Sequence, residues 1–588
     1  MKITFIAVFG FFLCLPSLLT AQNYKPGDDF IELTDTKPHD SKEVWNKQKL
    51  AVQLQWGNID TRYQKLSVPT AVSGNRLSTR GWKGERVNAQ AVLWTNKELK
   101  NVSVTVSDLK NGSRVIPSSV VTTNFVRNIM TDELNKDKKG ACGHRPNKAE
   151  WDSSMVADIL DIQTKIDLQE RVTQPVWVNV WLPQDAVTGK YKGTLTVTAD
   201  GISPMNLQME IEVLNHTLPQ PKDWAFHLDL WQSPYAVARM YNVTLWSKEH
   251  FDIMRPLFKQ LANAGQKVIT ATIMNKPWNQ QTEDAFESMV MKKKNLDGSW
   301  EYDYTVFDTW VEFMMSVGID KQINCFTLIP WALNFDYYDL ASNQIRYVHT
   351  KPGEAAYEDY WFSFLKDFAR HLKQKGWFHK TTISMDERGA DVMKHAFNLI
   401  FRADPDYKVS GQGHYYPEVE PMMHEMCLAY GENFPEDVLA ARRKAGKVST
   451  VYTCCSEPFP NVFTFSPPAE AAWTMWHAMA GNYDGYLRWA FNSWTIDPLR
   501  DSRFRTWAAG DTYIVYPDRS SIRFERLVEG VQDAEKIRIL REEFTTKGQK
   551  AKLDKLNKAV GKFMPVNLTI TNATEMVNEG RRVLNSFK

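Results

Sequence analysis

Cysteine is scarce. Six occur in 588 residues, and the first, Cys14, falls inside an apolar N-terminal run, leaving Cys142, Cys325, Cys427, Cys454 and Cys455. So odd and sparse a set is no disulfide framework, and a chain of this length can bury a core without covalent staples. The adjacent Cys454 and Cys455 lack the two-residue spacing of zinc and thioredoxin motifs and read as buried thiols at a strand end. An excess of one charge is missing too. Against 71 basic residues stand 69 acidic ones, a formal net charge of +2, so no net field draws the chain to polyphosphate or an anionic membrane, and nucleic acid is not an expected partner. The 12 histidines are scattered without ligand spacing, and no HExxH, EF-hand loop, GxGxxG or P-loop occurs, so neither a metal nor a nucleotide cofactor is expected. Beyond the first residues no apolar run approaches the 18 or so that a spanning helix needs, and no low-complexity tract marks a disordered tail.

What is present begins with MKITFIAVFGFFLCLPSLLTAQ: one Lys, an apolar run and a small-residue ending before Gln22. That is the layout of a cleavable export signal, with cleavage expected after Ala21 and the mature chain secreted or periplasmic. The whole chain is 43% hydrophobic and 24% charged, the balance of a globular protein.

From about residue 50 to 215 the stretches ERVNAQAVLWTN, NVSVTVSDL, QPVWVNVWLP and YKGTLTVTADG alternate with period two. In QPVWVNVWLP, Val176, Val178, Val180 and Leu182 share one face and Trp177 and Trp181 the other. Such runs, split by Gly, Asn and Asp turns, predict an N-terminal antiparallel β-sandwich over 22–217. Pro219 and Pro221 bracket a linker. Short apolar runs then alternate with long helical stretches, the pattern of parallel strands with helical crossovers. Eight such runs occur: AFHLDLW, VITATIM, INCFTLIPW, TTISMDE, YKVSGQG, MCLAYG, KVSTVYTCC and DGYLRWAFN. Eight strands close a (β/α)8 TIM-like barrel, expected over 218–545. Its helices show in Trp361, Leu365, Phe368 and Leu372, spaced four, three and four with Gly376 as C-cap, and in SPPAEAAWTMWHAMAGN, with Ser466 as N-cap and Gly481 at the close. SSIRFERLVEGVQDAEKIRILREEF reads as a charged amphipathic helix covering the outside after strand eight, and 546–588 as a helical C-terminal extension.

In such barrels catalytic groups stand at the C-terminal ends of the strands. There the sequence places Asp386 and Glu387, Asp229 and Trp231, Asn275, Trp331, His414 and Tyr416, Tyr452, and Trp489, Asn492 and Trp494. Carboxylates, amides and tryptophans are the tools of sugar chemistry: aromatic faces pack on pyranose C–H faces, and glycosidic cleavage normally needs two carboxyl groups. A conventional retaining pair faces across the sugar at about 5 Å, an inverting pair at more. Sequence neighbours such as Asp386 and Glu387 fit neither arrangement. They do fit a sugar that brings its own nucleophile, the carbonyl oxygen of a 2-acetamido group, with Asp386 accepting the acetamido N–H and Glu387 protonating the leaving oxygen. The ionised Asp386 is then expected to raise the pKa of Glu387 and keep it protonated near neutral pH.

The chain resembles glycoside hydrolase family 123, the exo-acting β-N-acetylgalactosaminidases, especially secreted bacterial members. The likeness is carried by FHLDLWQSPYAVARMY (226–241), AGQKVITATIMNKPW (264–278), ISMDERGA (383–390), and YLRWAFNSWTIDPLRDSRFRTWAAGDTYIVYP running into SSIRFERLVEGVQDAEK. The resemblance implies a sandwich before a (β/α)8 domain, retention of configuration without a cofactor, and an Asp-Glu pair acting through the acetamido group, roles that fall on Asp386 and Glu387. Trp489, Asn492, Trp494 and Arg500, in the best-matched block, are candidates for lining the sugar pocket. Asp229 and Trp231, then Tyr416 and His414, are further candidates, whereas His227 reads as a core histidine. Two alternatives stay open: a barrel glycosidase of other specificity that pairs Glu387 with a more distant acid such as Glu457, and a secreted glycan-binding protein without activity.

Overall fold

The computed structural model describes residues 24–35, 37, 39–132, 151–569 and 572–587. The expected export signal, with cleavage expected after Ala21, lies outside the described residues, as do Cys14 and Cys142. An N-terminal unit of two facing sheets comes first. One sheet runs in the order Val52–Trp56, Arg86–Thr95, Val172–Trp181, Val121–Thr131, Ser154–Leu160; the other has Arg76–Lys83, Met205–Thr217, Gly189–Thr198, Leu99–Val106 and Lys165–Leu168 along its main path. Pairing is antiparallel except between Arg76–Lys83 and Met205–Thr217, which run parallel. Alternation sets the core: Tyr191, Leu195 and Val197 on one strand and Leu207, Met209, Ile211 and Val213 on its partner meet Val176, Val178 and Val180 of the opposite sheet. At about 25 cal/mol per Å² of apolar surface, this interior is the unit's main source of stability. Trp177 faces the other way, against Val126, Ala157, Leu160 and Ile522, so its strand is covered on both sides.

The second unit is the expected barrel. Its strands are β1 (His227–Leu230), β2 (Val268–Thr272), β3 (Gln322–Phe326), β4 (Thr381–Asp386), β5 (Lys408–Gly413), β6 (Glu425–Ala429), β7 (Val448–Tyr452) and β8 (Gly485–Arg488). All pair in parallel in the order β1-β8-β7-β6-β5-β4-β3-β2. The ring is nearly closed between β1 and β2 by a bridge of Leu228 with Gln266 and by Leu230 N–H donating to the Gln266 side chain at 2.9 Å. Strands covered on both faces read as continuous apolar runs, which is why eight short runs were visible. The helix Ala355–Lys375 buries Trp361, Leu365, Phe368 and Leu372 and ends at Gly376, whose φ of +72° is the left-handed cap that glycine accepts without penalty. The other secure helix starts later than expected: it spans Ala469–Ala480 with Pro468 at its N-cap, and the Ser466 side chain caps nothing.

A correction concerns the helix Ile522–Thr546. Instead of a solvent-facing amphipathic cover, it is buried on nearly every side from Ile522 to Ile537. Several of its charged residues are paired across the seam between the two units. Arg86 meets Glu525, Lys536 meets Glu85, Asn88 Nδ2 donates to Glu529 at 3.1 Å, and Arg523 Nε stands 2.8 Å from Asp158. Ser521 caps the helix by accepting from Phe524 N–H, and Ser520–Ser521 adds a last strand to the first sheet, beside Ser154–Leu160. Gly530 lets the helix touch Ala469–Ala480 at close range, since a Cβ there would lie 2.9 Å from Ala472 Cα. Buried ion pairs add little net stability, but loss of one partner costs about 3 to 5 kcal/mol, so the network fixes how the units sit. Among the described residues no helix is long and apolar enough to cross a membrane.

Candidate active site

Side chains alternate along β4, and Thr382, Ser384 and Asp386 share the inward face. Thr382 and Ser410 hydroxyls meet inside the barrel at 3.1 Å, with Ser384 joining the same cluster. Asp386, in register with Gln412 of β5, therefore opens into the barrel mouth. The next side chain of a regular strand would face outward. Glu387 breaks the alternation: its φ is +46°, a left-handed turn that costs of order 1 kcal/mol in a non-glycine residue. Its N–H donates to Gln412 O at 3.1 Å. Both carboxylates consequently line one cleft of about 430 Å³. Neighbours in the chain are thus made neighbours in the site by one backbone conformation.

The cleft walls are aromatic. Trp231 and Trp278 stack at 4.9 Å between ring centroids, Phe326 packs on both, and Trp489 meets Trp507 edge-on at 5.8 Å. Trp331 stands at the rim, 39% exposed, with the Arg388 guanidinium 4.4 Å from its ring. The Trp507 indole N–H donates to Gln281 O at 3.0 Å and ties two rim loops together. Tyr452 O–H donates to Glu387 Oε1 at 2.6 Å; burial and the Glu387 charge hold this phenol far above its ordinary range, so it remains a donor. Asp386 is the carboxyl with the clearly raised pKa. Burial first, then the neighbouring Glu387, push it up to about 7, partly opposed by the Trp331 indole and the Arg388 cation. The sequence argument expected the mutual repulsion to act on Glu387; here it is expressed on the more deeply enclosed Asp386.

Of the other predicted residues, Trp231 and Trp489 line this cleft with the two carboxylates. The rest do not. Asn492 is fully buried and clamps the Ser233 backbone, accepting from its N–H at 2.9 Å and donating to its C=O at 2.8 Å. Trp494 is buried with its indole N–H on Val515 O, and Arg500 reaches Ile31 O and Asp497. His414 pairs with Glu432 in solvent, with Tyr416 edge-on beside it. Asp229 lies inside the barrel below the cleft, near Asn324 and Glu425; burial and then the Glu425 charge push it up to about 8. His227, read as a core residue, stands 3.3 Å from Glu425. Glu457 is taken up locally by Cys454 N–H and Ser456.

Several lining residues were not singled out for binding: Trp278, Gln281, Trp331, Gln412, Tyr452, Leu487 and Trp507. Trp331 and Tyr452 were visible at strand ends, and Trp278, Leu487 and Trp507 lie in the stretches that carry the family resemblance; Gln281 and Gln412 carried no signal beyond residue type. Cys454 and Cys455 also line the cleft, and the reading of both as thiols needs correction. Cys454 is free, but Cys455 is disulfide-bonded.

Comparison with known proteins places the chain in a family. Residues 231–540 match the family model described as glycoside hydrolase 123, catalytic domain, and residues 56–199 that of the glycoside hydrolase 123 N-terminal domain. Among solved structures, a family 123 glycoside hydrolase from Clostridium perfringens, studied for glycolipid glycan hydrolysis, matches with a TM-score of 0.81 and 25% identity, covering 91% of this chain and 97% of its own. A Bacteroides ovatus GH5 xyloglucanase covers 78% of this chain and 98% of its own at 9% identity and a TM-score of 0.28. A glucosidase from Croceicoccus marinus covers 53% and 66% at 13% and 0.31. Neither of these two scores supports an argument. No curated protein matches the chain.

Proposed function

Because the chain belongs to glycoside hydrolase family 123, we propose that it is a retaining exo-glycosidase that removes terminal β-linked N-acetylgalactosamine by substrate-assisted catalysis. The observation that carries this reading is the pair Asp386 and Glu387, adjacent in the chain yet facing one cleft. Asp386 accepts the acetamido N–H and holds the group so that its carbonyl oxygen attacks the anomeric carbon. As the C–O bond to the aglycone breaks, Glu387 gives its proton to the leaving oxygen, and Asp386 balances the charge of the oxazolinium ion. Water, deprotonated by Glu387, then attacks the anomeric carbon from the face that the aglycone left, opposite the acetamido oxygen, and breaks the oxazolinium C–O bond, so configuration is retained. Tyr452 O–H keeps Glu387 oriented. The tryptophan walls suit the apolar face of a pyranose and the acetamido methyl. Glycolipid glycans, whose hydrolysis was studied in the Clostridium perfringens relative, are the substrate class taken in this proposal, and export of the mature chain from Gln22 belongs to it as well.

Proton NMR of the first sugar released tests the mechanism. The β anomer should appear first, and a thiazoline mimic of the oxazoline should inhibit competitively. An α anomer, or indifference to the mimic, refutes substrate assistance and leaves the conventional carboxylate pair.

A pH dependence follows from the raised Asp386. Its carboxyl holds its proton below about 7 and is ionised above. Because the role proposed for Asp386 needs the anion, kcat/KM is expected to fall by up to about tenfold per unit below that point. Poor and activated leaving groups should share this acid limb, since both depend on the acetamido group. A rate that stays level from about pH 8 down to about pH 5 would remove Asp386 from that role.

A further inference from the structure

Asp386 at the end of β4, Glu387 just beyond it and Gln412 on β5 form a gradient of depth. Glu387 is exposed, Asp386 half-buried, and Gln412 only 6% exposed. Gln412 lines the same cleft. Its backbone is tied to the catalytic pair, in register with Asp386 and accepting from Glu387 N–H. Its side chain shares the inward face with Ser410. Yet its carboxamide is unused: Oε1 and Nε2 are both buried, and neither meets a hydrogen-bond partner among the described residues. Buried amides are nearly always paired, because leaving both ends unpaired forfeits their hydration with nothing in return. A primary amide held bare beside two carboxylates is the arrangement of a group reserved for a ligand.

The depth gradient says which part of a sugar it meets. With the acid Glu387 at the mouth, the anomeric carbon and its aglycone lie there, and the C2 substituent lies at Asp386. The ring carbon farthest from the anomeric centre is C4, which is then the inner end. A hydroxyl both donates and accepts, and so does a carboxamide. We infer that Gln412 hydrogen-bonds the 4-hydroxyl of the bound N-acetylhexosamine and sets the preference between the 4-epimers. This rests on the roles given above to Asp386 and Glu387. It adds the residue that separates galacto from gluco substrates, a distinction that the catalytic pair alone leaves open. Sites built to pair a substrate hydroxyl discriminate strongly against analogues without it, whereas apolar pockets discriminate weakly.

The test uses the full-length enzyme with 4-nitrophenyl β-glycosides of N-acetylgalactosamine, its 4-deoxy analogue and N-acetylglucosamine. Wild type should favour the galacto sugar over the 4-deoxy analogue by about 10³-fold or more. Gln412→Met should lose about 10²-fold or more on the galacto sugar and less than about threefold on the 4-deoxy analogue, so that the 4-epimer preference collapses. Gln412→Glu, which keeps an acceptor in the same shape, should retain part of the discrimination. Calorimetry with the galacto and gluco thiazolines reads the same preference as affinity, independent of turnover. Equal wild-type rates on the galacto and 4-deoxy sugars would overturn the proposal without any variant. So would an equal loss by Gln412→Met on both. Wild type that cleaves neither acetamido epimer refutes the reading of the catalytic pair, and this inference with it; cleavage with Gln412 indifferent refutes the inference alone.

Discussion

Glu387→Gln is expected to lower kcat/KM by about 10³-fold on a β-N-acetylgalactosaminide of an unactivated alcohol, the order of effect of a positioned general acid. The substitution is nearly isosteric. Its amide oxygen can still accept from Tyr452 O–H, which holds Glu387 Oε1 at 2.6 Å, so the cleft should keep its shape and the melting temperature should change little. What is lost is the proton that departs with the aglycone. The loss should therefore shrink when the leaving group is a dinitrophenolate, which needs no proton for the first step. Side-by-side kinetics on the two leaving groups give the answer, and undiminished turnover of the poor one would remove Glu387 from the acid role.

Asp386→Asn separates charge from shape at the other half of the pair. Turnover should fall by about 10² to 10³-fold, since an amide neither neutralises an oxazolinium ion nor orients the acetamido N–H as a carboxylate does. Affinity for the thiazoline should fall with it. Stability should move the opposite way. The folded-state pKa of Asp386 is raised from 3.8 to about 7, so folding favours its proton. The stabilising contribution is complete below the unfolded value and disappears as pH rises through the folded one. Above pH 7 wild type therefore bears the full penalty of an enclosed charge, and the Asn variant should melt higher than wild type at pH 8, with the gap narrowing toward pH 4. Unchanged thiazoline affinity, or a variant that melts lower at pH 8, would contradict the assignment.

The barrel was legible because each of its strands is short, apolar and followed by a turn, and strand ends give away their rim residues by position alone. Asp386 and Glu387 were placed at the rim in that way. The same rule misplaced Asn492 and Trp494, and the family likeness, not strand position, drew in Arg500. β8 ends at Arg488, and the chain beyond it folds back into packing, where Asn492 clamps Ser233 and Trp494 packs on Tyr241. Periodicity cannot show where a chain turns back. Gln412 went unnoticed for another reason: one amide in YKVSGQG carries no pattern, and only its lack of partners in three dimensions marks it. The helix Ile522–Thr546 was misread as a surface element because charge usually means solvent. Glu529 pairs locally with Arg526, but it also accepts from Asn88, 441 positions away in sequence, and no local window reports a counterpart so remote.

That helix also decides what counts as a unit of this molecule. A barrel excised at residue 218 would part Glu525 from Arg86, Glu529 from Asn88 and Lys536 from Glu85, and would strip the strand Ser520–Ser521 of its neighbour. The portion bearing the cleft is therefore no free-standing enzyme that happens to carry an appendage. Its last segment is finished only by the first sheet of the chain, so engineering that shortens the protein must begin somewhere other than the seam.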